Sequence, residues 1–122
     1  MVDLEHLRQM IQKLPETGEK PCYGTPGFYV RGKLFARVRE NGTSLAIKCA
    51  ELEREALCQA EPETFSVPAH YQNSSMVVLE LPQIEAGELD RLLTTSWSRT
   101  APKKLLAMLK THTPSNQLRG NP

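Results

Sequence analysis

Residues 28–49 constrain this chain more than any other stretch. Apolar and polar side chains alternate through three short runs, broken at Arg31-Gly32 and again at Asn41-Gly42. A period of two marks half-buried strands. Asn-Gly between two such runs favours a tight hairpin with positive φ at both turn residues. Treating Asn41-Gly42 as a two-residue loop pairs Val38 with Leu45, Ala36 with Ile47 and Leu34 with Cys49. Opposed residues share a face. One face then gathers Leu34, Ala36, Val38, Leu45, Ile47 and Cys49, and is the expected core. The other gathers Lys33, Phe35, Arg37, Arg39, Ser44, Ala46 and Lys48.

The Arg31-Gly32 turn leaves two registers open. A two-residue loop sets Phe28 opposite Phe35 and puts both rings on the basic face. A slip of one residue sends Phe28 and Val30 to the core and Tyr29 outward. Arg is unfavourable at positive φ, which keeps a bulge in play. The stripe of Lys33, Arg37, Arg39 and Lys48 is common to both registers.

The rest of the chain supplies elements to cover a sheet. A helix is expected over residues 3–14, capped by Asp3, with Leu4, Leu7, Ile11 and Leu14 on one side and Pro15 as its stop. Residues 17–23 form a polar connection or an edge strand, since Pro21 disfavours a central position. A second helix over residues 51–60 aligns Leu52, Ala56, Leu57 and Ala60. Residues 65–72 read as irregular around Pro68, and residues 76–81 as a Val- and Leu-rich strand. A third helix runs from residue 85 or 86 to 99 with Leu89, Leu92, Leu93, Ser96 and Trp97 along one stripe. A fourth starts at Pro102, a good first helical residue, and carries Leu105, Leu106, Met108 and Leu109. Beyond it the chain is polar. The order predicts an α+β fold: an antiparallel sheet with helices packed on one face as a two-layer sandwich, the basic and aromatic face open to water. A single domain over residues 1–110 and a disordered tail over 111–122 are expected.

Composition narrows the classes. At 122 residues, 39% hydrophobic and 24% charged, the chain has the size and balance of one soluble domain. A net charge of +1 excludes a histone-like binder, so affinity for nucleic acid must come from local clustering. Cys22, Cys49 and Cys58 are odd in number and form no C-x-x-C pair, which fits free thiols in a reducing compartment. No apolar run is long enough to span a membrane, and the N-terminus lacks a signal-peptide layout. The expectation is a cytoplasmic protein with no membrane partner.

The run from Gly24-Thr25-Pro26-Gly27 through Phe28-Tyr29-Val30-Arg31-Gly32-Lys33-Leu34-Phe35-Ala36-Arg37-Val38 resembles the signature of the MmcQ/YjbR-like proteins. Glu53-Arg54-Glu55, residues 62–65 and 68–71, Ser96-Trp97 and Ala101-Pro102-Lys103-Lys104-Leu105 agree in order and spacing. The likeness covers about residues 4–109. It implies a compact α+β fold similar to CyaY-like and double-wing DNA-binding domains. The family is described as DNA-binding on structural grounds, with no catalytic residues to carry over. One departure is Met76, where many relatives place a Trp.

The candidate nucleic-acid surface is therefore Lys33, Arg37, Arg39 and Lys48 for phosphates, with Phe35 and Phe28 pressing on bases or sugars. The plainer account is a solvated face kept soluble by its cations. Lys103 and Lys104 are ordinary exposed lysines or an extension of that surface. His6, His70 and His112 are scattered and lack metal-ligand spacing, so no metal and no cofactor are expected. Acid–base chemistry at His70 ranks below a surface role. Cys49 and Cys58 read as inert core thiols, and Trp97 as a core anchor. The function expected is DNA binding by a monomer. The rivals are docking of an acidic protein surface and, third, a small-molecule binder or enzyme using a groove beside His70, Tyr71 and Arg99.

Overall fold

The computed structural model describes residues 2–111, with side chains through Ala107. Helix α1 (Leu4–Gln12) buries Leu7, Met10 and Ile11, and Asp3 caps it by accepting from the His6 amide at 2.8 Å. Six strands follow: β1 (Thr17–Cys22), β2 (Thr25–Val30), β3 (Lys33–Val38), β4 (Ser44–Lys48), β5 (Phe65–Ser66) and β6 (Met76–Glu80). They form one antiparallel sheet in the order β1-β2-β3-β4-β6-β5. Helix α2 (Glu51–Ala60) separates β4 from β5, and α3 (Ala86–Thr100) and α4 (Lys103–Thr111) follow β6. From residue 112 onward the expected tail lies outside the described residues.

The core lies on one side of the sheet. Helix α3 packs on β3 and β4, and its Leu89, Leu92, Leu93 and Trp97 bury against Phe28, Val30, Ala36, Leu45 and Ile47. The Trp97 indole donates to the Pro15 carbonyl at 3.0 Å, tying α3 to the chain leaving α1. A buried indole N–H needs such a partner, and the carbonyl beyond α1 supplies it.

The β3–β4 register follows the alternation: Val38 faces Leu45, Arg37 faces Ala46 and Ala36 faces Ile47. The loop differs from the tight turn expected. Arg39 N donates to Ser44 O and Gly42 N to Arg39 O, which leaves four residues in the loop, and only Gly42 takes positive φ. Asn41 instead accepts from the amides of Thr43 and Ser44 through Oδ1, both at 3.0 Å. A side chain that satisfies two amides competes with the tighter turn. Loops of two and four residues give the same pairing, so the register is unaffected.

The β2–β3 hairpin keeps the two-residue turn but shifts by one residue at a bulge, which gives Phe28, Val30 and Tyr29 the faces expected of the slip. Arg31 and Gly32 have φ of 50° and 82°, and Val30 faces Lys33 across a two-residue turn. Tyr29 then faces Leu34, but Phe28 faces Ala36, so Phe35 is the extra residue of a bulge. The bulge resets the alternation. Phe28, Val30 and Phe35 are all buried in the core, and Leu34 is displaced to a half-exposed site. The expectation that Phe28 and Phe35 line an open face is therefore corrected.

The openness of that face is corrected as well. Residues 67–75, including a single 3-10 turn at Ala69–Tyr71, fold back over β4 and β6. Tyr71 and Val67 close over Ala46, Met76 and Val78 in a second small apolar cluster. Arg54 on α2 fastens this segment, its guanidinium donating to the carbonyls of Tyr71, Ser74 and Met76 at 3.3, 2.7 and 3.1 Å. Among the described residues, the β1–β2 side of the outer face is left less covered, carrying exposed Gly18 and Lys20 and half-buried Tyr29.

Candidate anion-binding site

The six residues singled out from the sequence do not meet on one surface. Phe28 and Phe35 are core residues. Arg37 does lie on the same side of the sheet as Lys48, as alternation requires, but it is 6% exposed. Its Nε donates to Cys22 O at 3.1 Å, one terminal nitrogen to Tyr71 Oη at 3.2 Å and the other to Glu40 Oε2 at 2.6 Å. Burial disfavours the guanidinium charge, but the bonds to Glu40 and Tyr71 outweigh it and raise the Arg37 pKa, while Arg37 lowers that of Glu40. Arg37 is a fastener between strand and covering segment. Arg39 lies over the Tyr71 ring, with its Cζ 5.7 Å from the centroid, and is only half-buried.

Lys48 keeps its place, whereas the bulge takes Lys33 off the Arg37 face, opposite core-facing Val30. Exposed at the start of β3, Lys33 still meets Lys48 at a surface, joined by a cation from elsewhere in the chain. At the end of the sheet where β3 begins and β4 ends, Lys33, Leu34, Lys48, Ser75, Arg99 and Thr100 line an open cleft of ≈ 510 Å³. Arg99 comes from the last turn of α3, where a cation also suits the helix macrodipole. The other described arginine side chains are engaged. Arg8, Arg31, Arg37 and Arg91 pair with Glu19, Glu16, Glu40 and Glu53, Arg54 with carbonyls, and Arg39 with a ring. Among the described residues, neither Arg99 nor Lys33 nor Lys48 has a carboxylate partner. Among the described residues, no acidic side chain lines the cleft. The hydroxyls of Ser75 and Thr100 add donors, although Thr100 Oγ1 already donates to Ser96 O at 3.0 Å.

The cleft floor is fixed from below. Ser96 Oγ donates to the Lys48 carbonyl, and Cys49 N to Ser75 O at 2.8 Å. Cys49 itself is buried, and desolvation, reinforced by the Glu53 carboxylate, pushes its thiol up to about 11. At neutral pH it is a protonated core thiol with no nucleophilic character. Chemically, the cleft can hold a phosphate or carboxylate by charge and hydrogen bonds.

Sequence reasoning weighed Arg99 only in a groove with His70 and Tyr71. The structure seats it instead beside Lys33 and Lys48, while Tyr71 is buried and His70 stacks edge-on against it at 4.8 Å. Two rings on the outer side carry cations, and the sequence reading missed one of them, Tyr23. Tyr29 carries Lys20 Nζ 4.7 Å above its ring, and Tyr23 stands 89% exposed with Arg37 Cζ 5.5 Å from its centroid. The slipped register already pointed Tyr29 outward; nothing in the local pattern marked Tyr23. Among the described residues no group of three His, Cys, Asp or Glu could hold a metal ion. No described helix is long and apolar enough to cross a membrane.

The fold matches the crystal structure of Deinococcus radiodurans protein DR2400, named for a DUF419 domain, with a TM-score of 0.70. That match covers 96% of this chain and 84% of the other at 21% identity, a likeness of fold. No curated protein matches the sequence. The YjbR family model matches residues 12–99, which spans β1 to β6 and most of α3, and the chain belongs to the YjbR family.

Proposed function

We propose that this protein is a nucleic-acid-binding module whose phosphate contacts are Lys33, Lys48 and Arg99. The observation that carries the reading is the convergence of three cations, none paired with a carboxylate, on one cleft without an acidic wall. Phosphate oxygens are met by Lys and Arg in this way, and such contacts position a nucleic-acid backbone without reading sequence. The cleft is open, which suits a polymer running through it better than a small ligand that must be enclosed. Membership of the YjbR family agrees with the reading. The contact surface differs from the open sheet face expected, because Arg37 is committed within the protein and the two Phe rings are interior.

Fluorescence anisotropy with labelled DNA oligonucleotides tests this. Replacing Lys33, Lys48 and Arg99 by Glu together abolishes binding, whereas Lys13→Glu, an exposed change outside the cleft lining, leaves it intact. Wild-type protein that fails to bind at low salt, or a triple variant that binds as wild type does, removes the reading. Copurification of an acidic protein that survives nuclease, and is lost in the triple variant, assigns the cleft to a protein partner instead.

A further inference from the structure

We infer that Tyr23 is a stacking platform for an unpaired nucleobase, which makes single-stranded nucleic acid the substrate class of the cleft. The inference rests on the reading of the cleft just given. Tyr23 and Leu52 are the large hydrophobic residues left exposed among those described, and Tyr23 is 89% exposed. The ring shields no core surface. Its backbone sits at φ 54°, in the left-handed region that side chains other than glycine avoid, at the turn between β1 and β2. Beyond its contact with Arg37, neither core packing nor backbone preference calls for an aromatic ring there.

The ring is nonetheless held. One side of it faces the Arg37 guanidinium, which three hydrogen bonds and near-complete burial immobilise. A cation behind a ring leaves the far π-face presented to solvent. Flat, π-faced ligands stack there whatever their sequence, and nucleobases are the ones that accompany phosphates. In a duplex the base faces are already stacked on each other, so a protruding ring can only take a base that is unpaired.

Geometry connects ring and cleft. Leu34 lines the cleft and faces Tyr29 across β2–β3. Strand β2 runs from that point to Thr25, beside the Tyr23 turn, a span of about 14 Å at the rise of an antiparallel strand. A strand of a few nucleotides covers that distance along the β1–β2 side of the sheet, passing Tyr29 and Lys20.

The test compares a labelled thymine tract with a duplex of the same length. Tyr23→Ala weakens the single strand by about tenfold and leaves the duplex affinity and the salt dependence as they are in wild type. Tyr23→Phe and Tyr23→Trp, which keep a ring, bind the single strand at least as well as wild type. Thermal midpoints within a degree or two of wild type show that the turn is intact. A Tyr23→Ala protein that binds the thymine tract undiminished, while Lys48→Glu weakens it, overturns the stacking role and leaves the cleft standing. Equal loss of single strand and duplex overturns it too. If Lys48→Glu is also without effect, the reading of the cleft fails with it.

Discussion

All three guanidinium nitrogens of Arg37 are engaged inside the protein, with Cys22 O, Tyr71 Oη and Glu40 Oε2. Arg37→Ala leaves the Tyr71 hydroxyl and the Cys22 carbonyl without that donor, and should cost about 2 kcal/mol, as for charge-assisted bonds. Arg37→Lys recovers less than half, because one ammonium cannot span three acceptors set at fork geometry. Urea unfolding measures both. A loss under about 0.5 kcal/mol, the ordinary range of surface changes, would mean that water replaces the guanidinium at no net loss. With the larger loss, charge reversal at Arg37 tests stability before it tests binding. The sequence placed Arg37 on the outer face correctly and still misjudged it. Alternation reports which side of a strand a residue takes, but Tyr71 arrives from 34 residues away, in a segment with no period of its own. Lys33 and Lys48 were legible as surface cations because, among the described residues, no carboxylate pairs with either, and Arg99 only in part, because its neighbours come from two strands and the covering segment.

At the scale of the hairpins, turn chemistry and turn geometry exchange places. Asn41-Gly42 takes the wider loop because Asn41 bonds two amides locally, while Arg31-Gly32 and Tyr23-Gly24 place both residues at positive φ. That geometry favours Asn in the first position and costs Arg roughly 1 kcal/mol or more. Arg31 is partly compensated by its paired, exposed contact with Glu16, whose carboxyl it holds below the usual range. An exposed pair contributes little and fades with salt. Arg31→Asn should therefore stabilise the protein by about 0.5 kcal/mol at low ionic strength, with a larger gain in high salt. Denaturation at two salt concentrations decides this, and a variant less stable than wild type in both refutes the strain argument. The same hairpin shows where pattern reading stops. The β3–β4 register was recoverable because even-numbered loops preserve the pairing. In β2–β3 a single bulged residue, Phe35, exchanged the faces of Phe28 and Tyr29, and adjacent Leu34-Phe35-Ala36 gave no local sign of which residue would bulge. Strand β5 has two residues, too few to show any alternation.

Across the whole molecule, charge is nearly balanced at +1, so long-range attraction to a polyanion is weak and binding must be local. Pairing sharpens the point. Four arginines are bound to carboxylates, and on the proposed reading the three cations gathered in the cleft are the contacts that displace counterions. Three phosphate contacts to a single strand give a slope of log affinity on log salt of about −2. A fourfold rise in salt should then weaken binding about 20-fold, and each single replacement of Lys33, Lys48 or Arg99 by a neutral residue should flatten the slope by about 0.7. Tyr23→Ala should lower affinity without changing the slope, because stacking releases no counterion. A wild-type slope near zero would mean that affinity, if any, is not carried by these cations. A slope near −4 that survives all three replacements would move the phosphate contacts elsewhere, to cations such as Lys103 and Lys104 at the start of α4.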